Sequence, residues 1–129
     1  MVRVQDIDPE KTLWEIIADT YIEKGIMCYP PAGKSGECKE EYIILKQAGS
    51  VQVENYSSEW VYYMFMLHVP KEKYNELERF EERVKEIMFQ KLYPMIKPTG
   101  LKDNDFYNDN VNAHVRSFTV RATKRNKML

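Results

Sequence analysis

A chain of 129 residues and 15.4 kDa is the size of one domain, and 43% apolar with 12% aromatic residues is enough for one hydrophobic core. Nineteen basic residues against twenty acidic ones leave a net charge of −1, so no overall field draws the chain onto nucleic acid or anionic lipid. The opening MVRVQDIDPEKTLWE has no apolar signal-peptide core, and no later run approaches the roughly 20 apolar residues that span a bilayer; the expectation is a soluble protein without a Sec signal.

In chain order, Asp8-Pro9 is the first helix-start signal, a capping side chain followed by a first-turn proline. Leu13, Trp14, Ile16, Ile17, Ala18 and Tyr21 then recur at helical spacing through about Glu23, and Gly25 stands where a glycine often ends a helix. Ile26 to Tyr29 reads as a short strand stopped by Pro30-Pro31, and Pro30 to about Glu40 as an exposed loop. Within it, Gly33-Lys34-Ser35 resembles the end of a phosphate-binding loop. The first glycine of that motif is replaced by Cys28, and two prolines remove N–H donors, so an ordinary loop is expected. Cys28 and Cys38 flank this loop and are expected to be free thiols, Cys28 packed on its strand.

Tyr42 to Lys46 and Val51 to Glu54 read as strands joined through Gly49-Ser50 in a hairpin. Trp60 to Val69 is apolar on both faces, Val61, Tyr63, Phe65, Leu67 and Val69 alternating with Tyr62, Met64, Met66 and His68. The domain's own helices can take one face, and the other calls for a partner layer such as a second copy. Lys71 to Leu92 is an amphipathic helix with the stripe Tyr74, Leu77, Phe80, Val84, Ile87 and Met88, and with Glu81 and Lys85 paired on its polar side. Pro94 and Pro98-Thr-Gly100 end it. Lys102 to Asn110 is a polar loop that includes Asp103 and Asn104, and Val111 to about Thr123 is a final alternating strand. His114, Arg116, Phe118, Val120 and Ala122 share one of its faces. Ala113, Val115, Ser117, Thr119 and Arg121 share the other.

No catalytic, cofactor or metal site is expected. His68 and His114 fall on different strands without a spacing that zinc would use, and adjacent carboxylates such as Glu40-Glu41 and Glu81-Glu82 point apart and read as solvated charges. The basic run Arg121, Lys124, Arg125, Lys127 reads as an arm, flexible from about 124 to 129, at the end of a single domain. Met64, Met66, Met88 and Met95 are core filler or, on a surface, adaptable contacts.

This order implies an α+β fold, an antiparallel sheet of about four strands with two helices on one face. At this level the chain resembles the tail terminator and tail completion proteins of long-tailed bacteriophages and prophages. Three stretches carry the resemblance: Leu13 to Tyr21 leading into Ile26 to Tyr29 and its Pro-Pro; Trp60 to Val69 running straight into the helix from Lys71; and the closing His114-Val-Arg-Ser-Phe-Thr-Val-Arg. The resemblance implies a virion structural protein, not an enzyme, assembled in the bacterial host cytoplasm. It implies a ring of copies, typically six, extended through their sheets and bound to tail-tube and head-completion proteins. Contacts are then expected at Lys34, Tyr62, Met64, Met66, Asp103, Asn104, Arg116, Arg121, Lys124 and Arg125. The alternative is a small ferredoxin-like regulatory or ligand-binding module with an enclosed pocket.

Overall fold

The computed structural model describes residues 11–52 and 58–125. It is α+β, with helices on one face of a six-stranded mixed sheet of order β1-β2-β3-β6-β4, in which β5 also pairs with β6. Helix α1, Leu13–Glu23, starts at Thr12, whose hydroxyl accepts from the Glu15 N–H while the Glu15 carboxylate accepts from the Thr12 N–H. This capping box fixes the start at Thr12; the Asp8-Pro9 signal lies outside the described residues. At the other end Gly25 adopts φ 83°, which lets the Ile26 N–H return to the Tyr21 carbonyl at 3.0 Å and turns the chain directly into β1, Met27–Tyr29.

Strand β1 runs parallel to β2, Tyr42–Gln52, and β2 pairs antiparallel with β3, Ser58–Pro70. The expected hairpin at Gly49-Ser50 is instead an irregularity within one long strand. The register with β3 shifts between Gln47 and Gly49, and Gly49 takes φ 134°, a conformation open to glycine that lets the extra residue bulge without ending the strand. Strand β6, Ala113–Arg125, pairs with β3 over its whole length, Lys124 and Arg125 included; the rest of the expected basic arm, 126–129, lies outside the described residues.

The strand count is six rather than four because the stretch read as loop adds β4, Ile96–Lys102, and β5, Phe106–Asn108, end to end along the outer edge of β6. Pro98, Gly100 and the Asn/Asp run hid them: such residues signal loops, yet edge strands tolerate them because one side of the strand needs no ladder partner. The long helix is also subdivided. Lys71–Glu76 is a 3₁₀ segment interrupted at Lys73 (φ −116°, ψ 31°), α2 proper is Leu77–Ile87, and Met88–Leu92 is a π turn. The 3₁₀ stretch takes Tyr74 out of the buried stripe and leaves it exposed.

The core lies between the helices and one sheet face. Ile17, Ala18 and Tyr21 of α1 and Leu77, Phe80, Val84 and Ile87 of α2 meet Ile43, Leu45, Val61, Tyr63, Phe65, Leu67, Phe118 and Val120. At its centre Tyr21 packs edge-on against Phe65 at 5.6 Å, and Phe65 stacks on Phe118 at 5.2 Å. The Tyr21 hydroxyl donates to the Val84 carbonyl at 2.9 Å, tying the two helices across the sheet, and burial raises its pKa strongly. Tyr21→Phe should therefore lower the free energy of unfolding by about 1 kcal/mol with an unchanged denaturant slope, read from urea titration. No loss of stability would mean that this bond contributes nothing net.

Candidate functional site

The second sheet face divides into two halves. At one end the segment between β1 and β2 folds back over it: the Cys38 N–H donates to the Val111 carbonyl at 2.7 Å, and Cys38, Tyr42 and Ala113 form a small buried cluster edged by Tyr29, Ile44 and Val111. Tyr42 stacks on His68 at 4.6 Å, and the half-buried Lys34 lies 6.0 Å from the centre of the Tyr42 ring. His68 Nδ1 donates to the Met66 carbonyl at 2.9 Å. Burial lowers the His68 pKa, against a smaller raising effect of that hydrogen bond, so the ring is held neutral near pH 7. The loop expected to be exposed is thus partly a cover. Cys28 packs in the core under the helices, Cys38 packs on the opposite side of the sheet, and both thiols are free. Burial pushes the Cys28 thiol up to about 12, so it is unreactive near neutral pH.

The other half of this face has no helix or loop over it among the described residues. In the β-ladder one row runs Gly49, Tyr62, Arg121, Lys97, and the next Lys46, Met64, Thr119. Tyr62, Met64, Met66, Thr119 and Arg121 are each only half-buried there, while Lys46 and Lys97 are exposed. Trp60, 36% exposed, lies under the Arg121 guanidinium at 4.2 Å. Strand alternation brings the sequence-read contacts Tyr62, Met64, Met66 and Arg121 together. Trp60, Lys46 and Lys97 complete the patch; they could have been found only with the register in hand, since they come from three different strands.

The outer edge of β2 is also unpaired past Ile44 among the described residues, because β1 covers only Tyr42, Ile43 and Ile44. The Trp14 indole N–H donates to the Leu45 carbonyl at 2.7 Å and satisfies the first open acceptor of that edge.

On the helix side Arg116 is engaged within the molecule rather than displayed. Its guanidinium contacts Asp105 at 2.8 Å and Glu81 at 3.1 Å. Glu81 is 7% exposed, and its Oε2 lies 2.9 Å from both Lys85 and Lys102, off the ideal hydrogen-bond direction, so those contacts are ionic. Glu81 is therefore a buried hub tying α2 to β4 and β6 rather than a solvated charge. Asp103 and Asn104 are exposed on the β4–β5 connection; Lys124 and Arg125 are placed by backbone pairing alone, opposite Glu59 and Ser58.

A cleft of about 610 Å³ lies between the Lys39–Glu41 stretch and the start of α2. Charged side chains, among them Lys73, Arg79 and the ion pair of Arg83 with Glu41, make up much of its wall. Among the described residues no histidine, cysteine, serine or threonine lines it, so these offer electrostatic contact but no side-chain nucleophile of those types. A second cleft, about 490 Å³, is framed by Met27, Tyr29, Tyr42 and the Lys34–Glu37 stretch. Among the described residues no group of three or more His, Cys, Asp or Glu stands together as a metal site, and no helix is long and apolar enough to cross a membrane.

Comparison of the chain with protein-family models, with curated proteins and with solved structures finds no significant match in any of the three.

The Glu81 hub sets an acid sensitivity. Burial raises the Glu81 pKa, but Lys102 and Lys85 override it and hold the carboxyl at about 2, against an ordinary 4.5. A depressed folded pKa gives stability that is present above the unfolded value and is lost as pH falls from about 4.5 towards about 2. Glu81→Gln should cost about 2–4 kcal/mol at pH 7, because it removes the charge shared by Lys85, Lys102 and Arg116, of which Arg116 keeps Asp105 as a partner, and the difference from wild type should shrink through that acid window. Urea titrations of both proteins at pH 7, 4.5 and 3 read this out; a pH-independent difference would assign the loss to packing.

Proposed function

We propose that this chain is a structural protein that works by binding other proteins, assembling with copies of itself and, in that form, completing or terminating a bacteriophage or prophage tail and joining it to the head. The observation that supports self-association is the one-sided cover of the sheet. The helices occupy one face of β3, while Trp60, Tyr62, Met64 and Met66 stand partly exposed on the other. A contiguous patch of such side chains on a small domain is characteristic of a contact surface.

The tail role rests on the resemblance in element order: a helix turning at once into a short strand, a long apolar strand running into the second helix, and a closing strand of alternating basic and apolar residues. In that role the uncovered sheet face meets a neighbouring copy in a ring, six in the family, and the exposed β4–β5 connection at Asp103 and Asn104 reaches tail-tube and head-completion proteins. The rival small ligand-binding module calls for an enclosed, largely apolar pocket, whereas much of the wall of the larger cleft is charged.

Light scattering across a concentration series should show a mass rising above 15.4 kDa toward a fixed multiple. A strict monomer at high micromolar concentration contradicts self-association. Deleting the reading frame from its phage or prophage should give heads and tails that fail to join, or tails of uncontrolled length; normal virions would remove the tail role.

A further inference from the structure

The uncovered half of the sheet is positively charged. Lys46, Lys97 and Arg121 stand on it with no ion pair among the described residues, and no carboxylate occupies a described register position on that face. The opposite side of the molecule carries the reverse pattern. Glu78, Glu82 and Glu86 follow one another at four-residue spacing along the exposed side of α2. The neighbouring arginines are engaged elsewhere, Arg79 with Glu76 and Arg83 with Glu41. Beyond Glu86 the same side continues into Phe89 and Tyr93, 51% and 40% exposed, whose rings lie 5.7 Å apart.

We infer that the α2 stripe of one copy docks on the uncovered sheet half of the next, acidic residues against Lys46, Lys97 and Arg121, and Phe89 and Tyr93 against the Trp60–Met64 rows. The inference rests on the proposed self-association and names the two surfaces that make it. Sizes agree: Glu78 to Glu86 spans about 12 Å along a helix, and β2 to β4 spans about 14 Å, three strand spacings, across the sheet. The two surfaces lie on opposite sides of one molecule, so the contact is heterologous: each copy uses its helix toward one neighbour and its sheet toward the other. Such a contact closes into a ring or continues as a filament, whereas an isologous pair stops at two. A sheet-to-sheet pair is disfavoured because it would set like charges against each other.

Two full-length variants test this, one with Glu78→Lys, Glu82→Lys and Glu86→Lys, the other with Lys46→Glu, Lys97→Glu and Arg121→Glu. Each alone should remain monomeric at concentrations where wild type assembles. Mixed in equal amounts they should assemble again, since each helix stripe then meets a sheet of opposite charge on the other variant; a mixture of two folded variants that stays monomeric would count against the charge pairing. Circular dichroism checks that each is folded. If either is not, wild-type association should still weaken about tenfold or more between about 0.05 M and about 0.5 M salt, as contacts between exposed charges do. Wild type that assembles while both folded variants assemble equally well, or assembly of wild type that is indifferent to salt, overturns this inference and leaves self-association standing. Wild type that stays monomeric removes both.

Discussion

Strand β3 carries side chains that resist full exposure on both of its faces, and a domain of this size supplies helices for one face only. Val61, Tyr63, Phe65, Leu67 and Val69 are buried beneath α1 and α2, which accounts for the core. His68 and its neighbours on the second face are buried only where the Cys38 segment reaches over them. From there to Trp60 the face is left half-exposed. Fully burying side chains of this kind stabilises by roughly 1.5–3 kcal/mol each, so leaving several of them partly in water is a standing incentive to associate.

The acidic hub at Glu81 addresses a different problem, the attachment of edge strands that lack strong sequence signals. Strand β4 pairs with β6 through only a few residues around Pro98 and Gly100, and β5 contributes three more. Lys102 at the end of β4 and Arg116 on β6 both reach Glu81 on α2, and Asp105, between β4 and β5, holds Arg116 from the other side. A buried carboxylate shared by three cations is costly to remove, so it pins the helix to that side of the sheet at near-neutral pH. Acid weakens the pin as Glu81 protonates, and protonation of the buried His68 on the opposite face acts in the same direction, beginning from its ordinary value of 6.5.

The sequence made the α+β class, α1, the buried stripe of α2 and the alternation of β3 and β6 legible, because each carries apolar residues at one clear period. It did not reveal β4 and β5, whose proline, glycine and Asn/Asp content is that of a loop and whose pairing depends on β6 being there to receive them. Gly49 was ambiguous for a similar reason: a glycine between two β-type runs serves a turn or a bulge, and only the continuous partner β3 decides. Of the candidate contacts, Tyr62, Met64, Met66 and Arg121 were readable from period two alone. Glu81 and Arg116 were read as outward-facing charge and contact respectively, because helical and strand periods locate a face but not the opposite charge that draws a side chain inward.

The central claim, that the uncovered half of the sheet is where copies of this chain meet, is tested most directly by methionine oxidation with dilute peroxide, followed residue by residue in dilute and in concentrated protein. Met64 and Met66 lie within the patch, whereas Met27 is exposed at the far edge of the same face, on β1. Slower oxidation of Met64 and Met66 at high concentration, with Met27 unchanged, is the result predicted. Equal rates for Met64 and Met66 at the two concentrations, in a sample shown to be assembled, would place the contact elsewhere and contradict the account.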